Sequence, residues 1–216
     1  GYLSHPGYAA LPKAPYRYQE MLGVIWRENP SCYLQDGEQA VLLAALMETD
    51  NAGRPLIDAW IKRSGLSADA WLEKLFEATV IPFYHLLCRY GVALIAHGQN
   101  VTLVMKDSIP QRILLKDFQG DMRLVDEDFP QAQSLPEQVK AVTARLSADY
   151  IIHDLQTGNF VTVLRFISRL TLQCGVSESR FYQILAQVLH RYMAAHTELA
   201  ERFATFDLFK PCLLYT

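Results

Sequence analysis

Between Tyr90 and Asp128 three short apolar runs, at 92 to 96, 101 to 105 and 112 to 115, are separated by clusters of polar residues and Gly. Runs that short, bounded by turn formers, read as strands rather than helices. Between the first two lies His97-Gly98-Gln99-Asn100, and the third ends on Lys116-Asp117-Phe118. A hairpin through Lys106 to Pro110 brings Asn100 and Asp117 to its open end. One amide oxygen and one carboxylate then share a site.

Those are hard oxygen ligands, suited to a magnesium ion that keeps several waters and binds the phosphates of a nucleotide. The imidazole of His97 beside them can steady charge or move a proton near neutral pH. The same residues also suit a plain turn, with Asp117 capping the next element of the chain. Both readings stand on the residues alone.

The rest of the chain points to an α+β fold, with an antiparallel sheet over residues 92 to 116 and a helical bundle around it. Residues 1 to 16 carry Pro6, Pro12 and Pro15 and read as an extended segment. Met21, Leu22, Ile25 and Trp26 recur at helical spacing, so a helix is expected over 17 to 28, ended by Asn29-Pro30, with Arg27 on its polar side. Ala40 to Met47 is a continuous apolar run that leans towards strand. Pro55 to Arg63 gives a short helix, and Ser67 caps a long one reaching Tyr90 that Pro82 should kink or divide. Its apolar face is Leu72, Leu75, Phe76, Thr79, Phe83, Leu86 and Tyr90. Asp121 to Asp128 reads as an acidic loop. Three helices come next, over 136 to 155, 159 to 173 and 177 to 195, with Gly175 a stop and Ser177 a cap. All 216 residues are expected to form one domain, its sheet part with the site at 17 to 135 and its helical part at 136 to 210.

Half the residues are apolar and a fifth charged, a globular composition, and the net charge of -3 offers no field for nucleic acid. No run has the eighteen or so apolar residues of a membrane span. Cys32, Cys88, Cys174 and Cys212 are far apart with no CxxC pair, which suits reduced, mostly buried thiols in the cytoplasm. His153, His190 and His196 lack metal-ligand spacing, and His85 reads as a packed helix residue. The chain starts at Gly1 and stops at Leu213-Leu214-Tyr215-Thr216, so a piece of a longer protein is expected.

AHGQN and LLKDFQG, with SHPGY, WRENP, RFISRL, ESRFYQIL and FDLFKP around them in order, resemble the C-terminal half of the siderophore synthetases that work without nonribosomal peptide synthetases. That is the family of the aerobactin and alcaligin synthetases. The resemblance covers nearly the whole chain and does not specify the product. It implies an ATP-dependent ligase that activates a carboxylic acid such as citrate as an acyl adenylate and condenses it with an amine or hydroxylamine, with magnesium. By the same resemblance His97 and Gln99 face substrate and phosphate, Asn100 and Asp117 support the metal, and Arg27 and Lys210 bind anions. The family carries a further phosphate-gripping set of Ser, Arg and Thr in an N-terminal half outside these residues. That half is the implied partner, and this segment alone should turn over nothing.

Two other functions fit parts of the pattern. In small-molecule kinases an HG turn followed by an Asn, a strand and DF occur in the same order, but the base there is an Asp, and here the position is Gln99, which cannot accept a proton usefully. A non-catalytic half of a larger enzyme needs no chemistry from this segment. A homo-oligomer is compatible with either, and the sequence does not fix its state.

Overall fold

The computed structural model describes residues 7–10, 23–127 and 129–210. In chain order, β1 (Gly7–Ala10) and β2 (Gly23–Trp26) form an antiparallel ribbon. A 3-10 turn over Pro30–Tyr33 leads to β3 (Glu38–Leu42), followed by a second 3-10 turn over Leu43–Met47. Next come α1 (Leu56–Ser64), the long α2 (Ala68–Tyr90), β4 (Val92–Leu94), β5 (Val101–Lys106) and β6 (Ile109–Leu115). The single turn α3 (Phe118–Asp121) joins β6 to β7 (Met122–Val125). After α4 (Pro130–Gln133), α5 (Glu137–Val142) and β8 (Ala144–Leu146), α6 (Ala148–Leu155) runs into a π-helical stretch over Gln156–Leu164. α7 (Arg165–Thr171), α8 (Glu178–Ala195) and α9 (Ala200–Thr205) complete the order.

The fold is α+β, and β5 and β6 form the expected antiparallel hairpin. Its turn is only Asp107-Ser108, both at positive φ (52° and 64°), the handedness that matches a two-residue hairpin to strand twist. β3 adds to the other edge of β5, giving the order β3-β5-β6. The three runs from 92 to 116 do not share one sheet, however. β4 pairs antiparallel with β7, which pairs in parallel with β8. Ile95 N–H still donates to Asp121 O at 2.9 Å, so the chain belongs to the second sheet up to Ile95 and to the first from Val101.

The helix started by Ser67, whose hydroxyl accepts from Ala70 N–H at 3.2 Å, lies between these sheets and the later helices. It continues unbroken through Pro82. Leu72, Leu75, Phe76, Thr79 and Phe83 are buried as the apolar spacing requires, but so are Trp71, Val80, Tyr84 and Leu87, because α2 meets β6 on one side and α8 on another. Phe76 packs edge-on to Phe181 of α8, with ring centroids 5.0 Å apart. Trp71 Nε1 donates to Ser108 O at 2.8 Å, fixing the hairpin turn to the helix. His85 is packed as expected, its Nδ1 2.6 Å from the Tyr192 hydroxyl. One buried apolar cluster runs from Leu43 to Leu208.

Several expectations are corrected. Gly23–Trp26 is a strand, not the end of a helix over 17 to 28; residues 17–22 lie outside the described ones. Six residues of apolar spacing do not separate a helix from a strand, and pairing with Gly7–Ala10 decides it. The expected extended segment 1 to 16 is described only at 7–10, where it is extended. The 40 to 47 run divides into strand and 3-10 turn, and Met122–Val125 is a strand inside the expected acidic loop. The helix over 136 to 155 is interrupted by β8, and the helices on either side of Gln156 form one continuous path through the π stretch. Cys32 is exposed, Cys88 buried and Cys174 partly buried, all free; Cys212 lies outside the described residues. Among the described residues no helix is long and apolar enough to cross a membrane.

α2 ends at Gly91, whose φ of 66° lies in the left-handed region and whose Cβ, if present, would stand 2.6 Å from Val125 Cγ1 and 2.9 Å from Phe129 Cδ2. Gly65 caps α1 at φ 71° with nothing within 4 Å. Gly91→Ala should lower unfolding free energy by about 2–4 kcal/mol, strain plus overpacking, whereas Gly65→Ala should cost about 1 kcal/mol from strain alone. Urea unfolding of the two variants checks the difference.

Candidate functional site

The His97–Asn100 turn closes by Asn100 N–H donating to His97 O at 2.9 Å. It is docked on the 3-10 turn before it in sequence, because Ala44 N–H donates to Gly98 O at 3.0 Å. A Cβ at Gly98 would lie 3.3 Å from Ala44 N, Ala44 Cα and Met47 Cε, tighter than ordinary contact, so a side chain there would have to displace these neighbours by a few tenths of an ångström. On its other side, Lys116 N–H donates to Asn100 O at 3.2 Å. The two clusters picked out in the sequence therefore meet at the open end of the hairpin, joined through the main chain. His97 and Gln99 point outward, both exposed.

The side chains take separate partners. Asn100 Nδ2 donates to Asp121 Oδ2, leaving the amide oxygen of Asn100 for another donor or ligand. Arg27 Nη2 reaches both oxygens of Asp117, at 3.2 and 3.4 Å. Arg27 stands in the loop after β2, not on a helix face. With both groups about a third exposed, 32% and 34%, this pair contributes modestly, about 0–1 kcal/mol. Asp117 itself sits at φ 63°, a conformation that costs a non-glycine residue energy and that recurs at ligand sites. Lys210 follows α9, its N–H 3.4 Å from Asp207 O, and no contact among the described residues ties it to the turn.

Two residues next to the turn were given no role in the sequence. Asp121 is the partner of Asn100. Lys116 lines a small, largely apolar cavity with Phe83, Leu94, Ala96, Asn100 and Asp121. Burial holds its ammonium below the usual lysine range; Arg27 adds to this and Asp117 opposes it. The signal available was the full run LLKDFQGD, in which a lysine and two aspartates flank one turn.

The π stretch abuts this region from behind. A Cβ at Gly158 would come within 3.0 Å of Ile95 Cγ2 and 3.1 Å of Ala96 N, so the segment leading to His97 rests on the Gly158 backbone. Asn159 is fully buried with neither amide atom paired, and Asp154 Oδ2 is likewise buried without a partner. Unpaired buried polar atoms are rare, and π-helical turns concentrate at functional sites. Among the described residues no three His, Cys, Asp or Glu side chains gather as a metal centre. Magnesium held by one or two protein oxygens and water does not need one.

Asp154 yields a pH test. Burial pushes its carboxyl above the usual range, Asp121 adds to this, and Arg123 and His153 oppose it. A carboxyl with a raised folded pKa costs stability when ionised: the cost is full above the folded value and absent below the unfolded value of about 3.9. Asp154→Asn should therefore gain stability relative to the parent at pH 7.5, and the gain should shrink as pH falls towards 4. Urea midpoints at the two pH values check it, and a pH-independent difference would refute it.

Residues 69–214 match the family described as ferric iron reductase FhuF-like transporter. Relatives that match over almost all of this chain carry other names. An aerobactin synthase of Escherichia coli is 65% identical over 214 residues, 99% of this chain and 37% of that protein. A rhizobactin siderophore biosynthesis protein of Rhizobium meliloti is 40% identical over 206 residues, 95% of this chain and 34% of that protein. An aerobactin synthetase structure from Klebsiella pneumoniae superposes with a TM-score of 0.88 at 61% identity, over 97% of this chain and 38% of that one. The chain thus spans a little over a third of the length of these relatives. With the HGQN turn and the Lys116-Asp117 segment joined at one hairpin end, the chain belongs to the FhuF-like family as it occurs in the C-terminal part of siderophore synthetases of the aerobactin type.

Proposed function

We propose that this chain is the C-terminal part of an ATP-dependent siderophore synthetase that activates a carboxylate, citrate or a related acid, as an acyl adenylate and condenses it with an amine or hydroxylamine. The observation that carries this reading is the main-chain joint between Lys116 and Asn100, which sets an exposed imidazole, an amide oxygen and a carboxylate around one hairpin end. Asn100 Oδ1 and Asp117 are the hard oxygen donors that suit magnesium. When bound, magnesium would draw charge from the phosphate oxygens. His97 donates to the charge that develops as the carboxylate attacks the α-phosphorus, and Gln99 orients the phosphate or substrate. Arg27 is the nearby cation for anions, and Lys210 binds an anion brought by the remainder of the enzyme. The remaining phosphate contacts come from the N-terminal part of the full-length protein, which works in the cytoplasm where ATP is available.

The test uses full-length enzyme with citrate, an amine and ATP. Release of pyrophosphate supports adenylation, and release of ADP would overturn it in favour of a phosphotransferase. Asp117→Asn keeps the side-chain size and should cut hydroxylamine-trapped adenylate by roughly a hundredfold or more while raising the magnesium requirement. Asn100→Ala should act in the same direction, with the double variant losing less than the summed single losses. His97→Ala should slow adenylation and leave the magnesium requirement unchanged. Near-normal adenylation by folded Asp117→Asn would remove the metal role and leave the residue as part of a turn.

A further inference from the structure

A groove of about 400 Å³ opens beside the candidate site, lined by Met47, Thr162, Phe166, Arg169 and Leu170. Its walls are also the supports of the His97–Asn100 turn. Met47 is the residue whose Cε faces the Gly98 backbone. Thr162 Oγ1 donates to Gly158 O at 2.6 Å, and the segment of Ile95 and Ala96 rests on Gly158. Thr162 therefore marks the end of the groove tied to the approach to His97. Arg169, about two turns on, stands on the order of 10 Å farther along the helix, at 1.5 Å of rise per residue.

The lining divides by chemistry. Met47, Leu170 and the half-exposed Phe166 are apolar, and Arg165 Cζ lies 5.5 Å from the centroid of the Phe166 ring. The guanidinium of Arg169 is exposed and makes no hydrogen bond or ion pair among the described residues. An apolar trough with an open arginine fork at one end is complementary to a hydrocarbon chain that ends in two coplanar oxygens. The oxygens meet the fork with parallel hydrogen bonds, and the chain covers apolar surface that otherwise faces water. Citrate, polar over nearly all its surface, does not suit such walls.

We propose that this groove is the subsite for the non-reacting arm of the amine acceptor, with Arg169 gripping a two-oxygen terminus on that arm, a carboxylate or a hydroxamate. A siderophore holds ferric iron through hard oxygen pairs of this kind, so an arm joined on during its synthesis carries the terminus that the fork fits. With that terminus at Arg169, the chain lies over Phe166 and Leu170 and the amine points back towards Thr162 and the turn. There the nitrogen bonds the acyl carbon, the bond from that carbon to the AMP oxygen breaks with its electron pair leaving on AMP, and the nitrogen releases one proton to water. Arg169 touches the far end of the acceptor only, so it selects the amine and takes no part in activating the acid. The subsite rests on the ligase reading and adds to it a place for the acceptor and a residue that chooses it.

The probes are 6-aminohexanehydroxamate, 6-aminohexanoate and hexylamine, amines of one chain length that differ at the far end, supplied to full-length enzyme with citrate and ATP. The parent should condense at least one of the two oxygen-bearing amines with a KM about tenfold or more below that of hexylamine, and the better of the two names the terminus. Arg169→Met should raise that KM by about tenfold, level with hexylamine, and Arg169→Lys, which keeps the charge and loses the fork, should fall between. Phe166→Ala should raise the KM of all three amines. Equal KM values for the three amines in the parent, or a preference that survives in folded Arg169→Met, would overturn the proposal. Hydroxylamine is too short to reach Arg169 and reports the acyl adenylate directly. Product from hydroxylamine but from none of the three amines would overturn the subsite alone, whereas no product from hydroxylamine would be failure of the ligase reading, and the subsite would fall with it.

Discussion

The burial of α2 on two sides is the constraint on which the rest of the architecture depends. Each large apolar side chain it removes from water is worth about 1.5–3 kcal/mol, and the helix presents such side chains both to β6 and to α8. That fixes the later helices on one flank and the hairpin on the other. Trp71 converts the packing into a directed contact, since its indole N–H meets the carbonyl of Ser108 at the hairpin turn. At the far end Gly91 turns the chain at once into β4, so the helix sets the starting point of the segment that reaches His97.

The open end of the hairpin is a seam between two small sheets. The chain leaves one sheet after Ile95 and enters the other at Val101, and the His97–Asn100 turn bridges the gap. Its position is set by main-chain bonds to Ala44 and Lys116, while the side chains of His97 and Gln99 stay exposed. Asp117 in a left-handed conformation and the unpaired Asn159 in the π stretch are two of the places where the local structure departs from its lowest-energy form. Both lie at or behind this seam, and strain and unsatisfied groups of this kind recur at functional sites.

What the sequence disclosed was local. Ser67 and Ser177 cap their helices and Gly175 stops one, because caps and stops are written in single residues next to a periodic run. The meeting of Asn100 with the Lys116-Asp117 segment was also legible, since a hairpin fixes both ends once its turn is found. The partner of β4 was not. β7 reads MRLV, where Arg123 and acidic neighbours mask the strand, and the three residues of β8 are too few to show any period. Asp121 was read as the edge of an acidic loop because its link to Asn100 depends on β7 being a strand. The π stretch has no periodic signature that separates it from a helix break, so Asn159 could not be placed in a buried position. β2 was misread because Ile25 and Trp26 fit either period, and only its pairing with β1 resolves it.

The docking of Gly98 on Ala44 has a consequence for how such a site can change over generations. The contact is close packing of the Gly98 backbone on Ala44 and Met47, so it restricts volume rather than chemical character: a side chain at position 98 would have to push these neighbours aside by a few tenths of an ångström. His97 and Gln99 stand on either side of that glycine, exposed and outside the core. Replacing them leaves the docked turn intact, so the scaffold can accept new chemistry at these two positions at little cost in folding. The glycine between them is the more constrained position, because any side chain there meets Ala44 and Met47.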